Sequence, residues 1–265
     1  MDARRCGAGA VVVVLLAAGR AAIAQPAADA LTRGLARFEQ GDLDAAIAAY
    51  TEAVRINPRS ADAYYNRGVA YHRKGRSDQA IADYTEAIRI DPRLGGAYCG
   101  RGFVYHQKRD YRKAIADYTE AIRIDPEDAD AHGNRGLAYL RAGDLEKAIV
   151  DFNETIRLNP DDFEAYCNRG LAYVNKRVPD RAIADYTEAL ELNPRLGEAY
   201  WGRGFAYHQK GDYRKAVADA TEAIRLDPKE AVAYYHRGLA YEKIGEKAKA
   251  EEDFARAKRL GYVPK

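Results

Sequence analysis

Proline stands at 58, 92, 126, 160, 194 and 228, a fixed step of 34 residues. A period of that length marks a stacked helical-repeat array, in which each unit is too small to bury its own apolar face and leans on its neighbours. The period constrains the chain more than its 265-residue length does, since length alone would allow one domain or two. Aligned on the prolines, the sequence divides into seven units: 27–60, 61–94, 95–128, 129–162, 163–196, 197–230 and 231–264. The eighth place is glycine throughout, at Gly34, Gly68, Gly102, Gly136, Gly170, Gly204 and Gly238. The eleventh is tyrosine except at Arg37, the twentieth is always alanine, and an aromatic fills the twenty-fourth except at Ala220.

Each unit reads as two helices. Over Tyr111–Ile124 the apolar residues Tyr111, Ala114, Ile115, Tyr118, Ala121 and Ile122 recur at three- and four-residue spacing, which puts them on one helical face. Gly41-Asp42, Gly143-Asp144 and Gly211-Asp212 read as the turns inside units, with the aspartate placed to cap the second helix. Asn57-Pro58, Asp91-Pro92 and Asp125-Pro126 close units, because proline disfavours helix at the residue before it. Small residues mark where helices approach closely, and the tyrosines fill the wider gaps. Superimposed on this period is a longer one of 102 residues: Tyr98–Pro126 closely matches Tyr200–Pro228, as expected if block 61–162 was duplicated to give 163–264.

The glycine, tyrosine, paired alanines and closing proline stand where the tetratricopeptide repeat has them, and the resemblance covers about nine-tenths of the chain. It implies an all-α fold, a right-handed α-solenoid of seven tandem helix-turn-helix repeats, of an exported bacterial type. It also implies that the first helix of each unit lines a concave binding groove through set places. Carried onto this sequence, those places give the candidate groove residues Tyr65, Asn66, His72, Phe103, His106, Asn134, Asn168, Trp201, Phe205, His208, Tyr235 and His236. Cys99, Gly133 and Cys167 hold the same place as Tyr65. Asparagine offers both a donor and an acceptor to an extended backbone, and aromatics with a polar handle are common anchors. Of the lysines, arginine and asparagines with which one branch of the family clamps a terminal carboxylate, only the sixth-place asparagines are matched; the fifth and ninth places are never lysine and asparagine. A row of arginines, Arg67, Arg101, Arg135, Arg169, Arg203 and Arg237, is matched in period by Asp83, Asp117, Asp151, Asp185, Asp219 and Asp253, and is expected to be mainly structural.

Residues 1–24 follow other rules. Arg4 and Arg5 precede an apolar run from Cys6 to Ala18, and Ala22-Ile23-Ala24 ends in small residues two apart. This is the pattern of a secretory signal peptide cleaved after Ala24, so the mature protein is expected in the periplasm or secreted. The run is short of the roughly 20 residues a spanning helix needs, so no membrane insertion is expected after cleavage. Cleavage removes three of the 42 basic and one of the 40 acidic side chains, leaving 39 of each. A net charge of zero gives no pull toward nucleic acid. Cys99 and Cys167 lie two units apart, farther than the roughly 7 Å Cα reach of a disulfide, so two free thiols are expected.

Of the five histidines, His72, His106 and His208 share one place in the period, so their spacing is inherited from the array; the histidines form no local metal-ligand set, and the glycines are taken up by turns and close contacts. No catalytic residue, metal or cofactor is expected. The chain reads as a non-enzymatic scaffold for a protein or extended peptide, with two alternatives: an envelope carbohydrate-binding or tethering module, and a self-associating structural array.

Overall fold

A computed structural model describes residues 21–263. The first twenty residues, where most of the expected signal peptide falls, lie outside the described residues. Within them the chain is helical, with fourteen α-helices and no strand. It divides into two compact units, Met1–Ala142 and Gly143–Lys265.

The first unit holds α1 (Ala21–Glu39), α2 (Leu43–Ile56), α3 (Ala61–Arg73), α4 (Ser77–Ile90), α5 (Gly95–Gln107), α6 (Tyr111–Ile124) and α7 (Ala129–Ala142). The second holds α8 (Leu145–Leu158), α9 (Phe163–Asn175), α10 (Pro179–Leu192), α11 (Gly197–Lys210), α12 (Tyr213–Leu226), α13 (Ala231–Lys243) and α14 (Lys247–Arg259). Turn chemistry sets these boundaries. Asp42, Asp110, Asp144 and Asp212 each accept a backbone N–H from the first turn of the following helix. The second helices end at Asn57, Asp91, Asp125, Asn159, Asn193 and Asp227, whose backbone turns away from helical geometry just before each proline. Gly41, Gly75, Gly143, Gly211 and Gly245 take the left-handed conformation in the turns inside hairpins, and Arg109 and Arg177 adopt it at the equivalent places, with φ of 61° and 58°.

Within each unit the helices pack as antiparallel hairpins, and a first helix rests on both helices of the hairpin before it: α5 on α3 and α4, α11 on α9 and α10, α13 on α11 and α12. Within each unit, successive first helices touch whereas successive second helices do not, so each stack curves with its first helices on the inner side. The buried layer is chiefly alanine and tyrosine, with Tyr50, Tyr118 and Phe152 fully enclosed. The alanines let helices close up, and the rings fill what remains.

A polar ladder joins hairpins within a unit. Arg101 donates from Nε and Nη2 to both carboxylate oxygens of Asp117, at 2.9 and 2.8 Å, and from Nη1 to Thr85 of the hairpin before, at 3.0 Å. Arg67, Arg169, Arg203 and Arg237 repeat the pairing with Asp83, Asp185, Asp219 and Asp253. Arg135 donates to Thr119. Burial pushes the Asp117 carboxyl above its usual range, with Arg101 pulling it back, while hydrogen bonding to Asp117 raises the guanidinium. These influences oppose each other at the carboxylate. The two short parallel bonds favour the ionised pair, because a guanidinium stays protonated and this geometry fits a carboxylate. The arginine row is therefore structural, as its matched period suggests.

Candidate functional site

The inner face is where the candidate groove residues would meet a ligand, and the structure separates them into open and closed positions. Asn134 and Asn168 are buried, at 0% and 4% relative exposure, so neither amide is presented to an extended chain. Asn66 is partly buried and spends its Nδ2 donor on the Asp62 carbonyl of its own helix, at 2.8 Å. Cys99 and Cys167 are buried and in no disulfide, as expected, while their place on the groove does not hold. Burial, assisted by Glu198 and Glu164, pushes the Cys167 thiol up to about 12, which leaves it protonated and unreactive. Phe103 is also buried, with the His72 ring set edge-on to it at 5.3 Å between centroids.

The reason lies in how consecutive hairpins fit. The residue at the sixth place of a first helix sits against the twenty-fourth residue of the hairpin before. A Cβ built on Gly100 would come within 2.7 Å of the Tyr84 ring, and one on Gly202 within 2.6 Å of Tyr186. The sixth place is thus part of the joint between hairpins, and an amide there is enclosed by packing.

Tyr65, His72 and His106 in the first unit are partly exposed, and in the second unit the open positions gather into one cluster. Trp201 and Phe205 on α11 and Tyr235 and His236 on α13 are all partly exposed. The indole of Trp201 and the imidazole of His236 lie nearly parallel, 5° apart with centroids 6.3 Å apart. Phe205 and Tyr235 meet the same imidazole edge-on at 4.9 and 5.6 Å. His236 occupies the sixth place after Ala220, the one second helix without an aromatic there, so an aromatic-sized side chain stands where Gly100 and Gly202 face tyrosine. Burial, with a smaller contribution from His208, depresses the His236 imidazole to about 4. At neutral pH the ring is therefore an uncharged aromatic plate. His208, one hairpin back, is likewise held below its usual range by burial and Lys243, and packs against Tyr213 with ring centroids 5.1 Å apart.

In the first unit the candidates are more dispersed. Tyr65 leans on Tyr84 with centroids 6.0 Å apart, and His106 on Tyr111 at 5.4 Å. Sequence reasoning missed Tyr262. It stacks on Tyr235 at 4.5 Å and, with Phe254 and Leu239, walls a pocket of about 540 Å³ at the end of the second unit. Its signal is readable in retrospect, because Gly261-Tyr262 stands where earlier units carry Asp-Pro or Asn-Pro. Among the described residues no group of three or more His, Cys, Asp or Glu could hold a metal ion, and no helix is long and apolar enough to cross a membrane.

Comparison with known proteins agrees with this geometry. A TPR repeat family model matches residues 34–75, 104–143, 180–211 and 206–245, and tetratricopeptide repeat models match 61–94, 129–162 and 231–260. No curated protein matches the chain. Among solved structures, YrrB, a TPR protein with an unusual peptide-binding site, is 26% identical over 70% of this chain and 95% of its own, with a TM-score of 0.63. MamA is 28% identical over 60% of this chain and 93% of its own, with a TM-score of 0.56. A tetratricopeptide repeat protein from Parabacteroides merdae is 24% identical over 90% of this chain and 94% of its own, at a TM-score of 0.69, and shares the fold. The 34-residue period, the hairpin stack and the family matches lead to one assignment: the chain belongs to the tetratricopeptide repeat family.

Proposed function

We propose that the chain is a non-enzymatic scaffold, exported after cleavage of residues 1–24, that holds an extended segment of a partner protein against the inner face of its second unit. The observation that carries this reading is the run of Trp201, Phe205, His236 and Tyr235. These rings pack on one another yet remain partly exposed, on hairpins whose buried layer is otherwise built of small residues. Large, stiff, partly desolvated rings gather binding energy at little entropic cost. The likeness to YrrB, which has a peptide-binding site, adds support to a peptide ligand. The carbohydrate alternative drew on amides beside the aromatics. With Asn134 and Asn168 buried, the amide half of that argument loses its footing.

Affinity capture from a cell-envelope extract tests the proposal, using residues 25–265 as bait beside the Trp201→Ala variant. A protein retained by the first and released at least tenfold more readily by the second is the expected result, because loss of one central aromatic anchor costs about 2 kcal/mol of binding. Equal retention by both baits would move binding off this face.

A further inference from the structure

The end of the second unit carries an interface that elsewhere in the chain is filled. The pocket beside Tyr235 is lined by Leu239 and Glu242 of α13, by Phe254, Ala257 and Lys258 of α14, and by Tyr262 and Val263. It lies on both helices of the last hairpin, the surface on which α3–α4 seats α5, α9–α10 seats α11 and α11–α12 seats α13. Helix α13 moreover repeats α3, both reading Ala-x-Ala-Tyr-Tyr-x-Arg-Gly-x-Ala-Tyr from Ala61 and Ala231. Tyr235, Leu239, Phe254 and Ala257 therefore correspond to Tyr65, Val69, Tyr84 and Ala87. Those four residues pack in one cluster with Ala97 and Val104 of α5.

What fills the internal copy defines what fits the terminal one. On α5, a Cβ added to Gly96 would meet the Tyr65 hydroxyl at 3.3 Å, and one on Gly100 the Tyr84 ring at 2.7 Å. Ala97 and Val104 are fully buried against the same hairpin. A helix suited to this seat has small residues at i, i+1 and i+4 and a short apolar residue at i+8. At i+7, Phe103 faces His72; His72 is replaced at the terminal seat by Glu242, so a basic residue is complementary there.

The geometry points to a docking seat at the end of the second unit for an amphipathic helix of a partner protein, with that pattern of small residues and a basic residue opposite Glu242. This goes beyond the inner-face reading and does not depend on it. A second copy of the chain is a poor occupant. Helix α1 would bring Asp29 to the place where Ala63, Ala97, Ala131, Ala165, Ala199 and Ala233 are buried, and a charge buried there is costly. On the receiving side, Ala255 stands where Thr51, Thr85, Thr119, Thr187 and Thr221 accept from the arginine of the next hairpin.

The test extends the full chain by a flexible linker of about ten residues and a copy of residues 95–108 carrying Phe103→Arg and Cys99→Ala, so that effective concentration replaces tight binding. Amide hydrogen exchange in α13 and α14 is then compared with that of the unextended chain. Seating slows exchange there roughly tenfold or more, and Gly100→Leu in the added helix, or Leu239→Lys in the seat, abolishes the protection. No protection from the added helix, or equal protection with Gly100→Leu, overturns the proposal. Protection that survives Tyr98→Pro in the added segment also overturns it, in favour of an extended occupant. Sedimentation of the unextended chain is expected to show monomer at all concentrations, and a dimer dispersed by Leu239→Lys would instead assign the seat to a second copy.

Discussion

Two stretches of the chain, Tyr98–Pro126 and Tyr200–Pro228, are the same hairpin differing at six places. Both keep the bidentate arginine–aspartate pair, at 2.8–2.9 Å in each, and both keep the cap at Asp110 or Asp212. They part where bulk is carried. In the first stretch Tyr118 is fully enclosed with Cys99 in the same buried cluster. In the second, the tyrosine has become Ala220 and the cysteine Trp201, and the tryptophan lies partly exposed beside His236. Ring volume has moved from inside the hairpin to its inner surface without disturbing the ladder. The comparison separates two classes of position: those that hold the array together and must repeat, and those at the joint between hairpins, where repeats can diverge into a site.

The ladder is the shared part, and breaking it gives the largest expected effect. Arg101→Ala and Arg203→Ala each leave a buried carboxylate unpaired and should each destabilise by about 4 kcal/mol. Urea unfolding of the two variants checks this, and clearly unequal losses would mean that the two hairpins are held differently. Next comes Tyr118→Ala, which empties an enclosed site and is expected to cost about 3 kcal/mol. Adding Cys99→Trp, as in the second stretch, should return part of that loss, and a double variant no better than the single would show that the two changes do not compensate.

Much of this was legible in sequence, and the boundary is instructive. The hairpins were readable because glycine, alanine and proline recur at places where only small size or a chain break serves. The ion pairs were readable because Arg67 to Asp83 and its successors keep one constant offset of 16 residues. Tyr65, Trp201 and Tyr235 are aromatics in repeats that carry another tyrosine at the eleventh place, a signal visible in the sequence, though the sequence does not show that Tyr65 leans on Tyr84. Asn134, Asn168 and Phe103 could not be sorted the same way. Whether a sixth- or ninth-place side chain faces solvent depends on the ring that a different hairpin brings against it, a tertiary contact that helical periodicity does not encode. Tyr262 was missed for another reason: it falls after the last helix, where the Gly261 backbone, at φ 90°, turns the chain back onto Tyr235.

A pH comparison sharpens the contrast further. His236 has a folded-state value near 4, below the roughly 6.5 of an unfolded histidine, so the unfolded chain binds the proton more tightly. Its contribution is present above about pH 6.5 and is lost as pH falls toward 4, amounting to about 3 kcal/mol at most. His236→Asn, which installs the residue found at Asn134, should flatten the fall in urea midpoint between those two pH values. An unchanged slope would assign it to other groups, His208 among them, since burial depresses that imidazole too.

The smallest effect concerns the turns. Arg109 holds a left-handed backbone where the second stretch has Gly211, so Arg109→Gly should stabilise by about 1 kcal/mol and Gly211→Arg should cost about as much. Urea midpoints of the two variants, moving in opposite directions, are the check.

The joint between hairpins also has a genetic consequence. Pro92-Arg93-Leu94-Gly95 and Pro194-Arg195-Leu196-Gly197 are the same four residues, so unequal recombination between them would excise residues 95–196 in frame. The new junction would set Tyr84 against Gly202 and Thr85 within reach of Arg203, partners of the same kinds that Gly100 and Arg101 supply now. A chain so built can change length by three repeats in one event and still close its seams, which makes the number of repeats itself a trait open to selection.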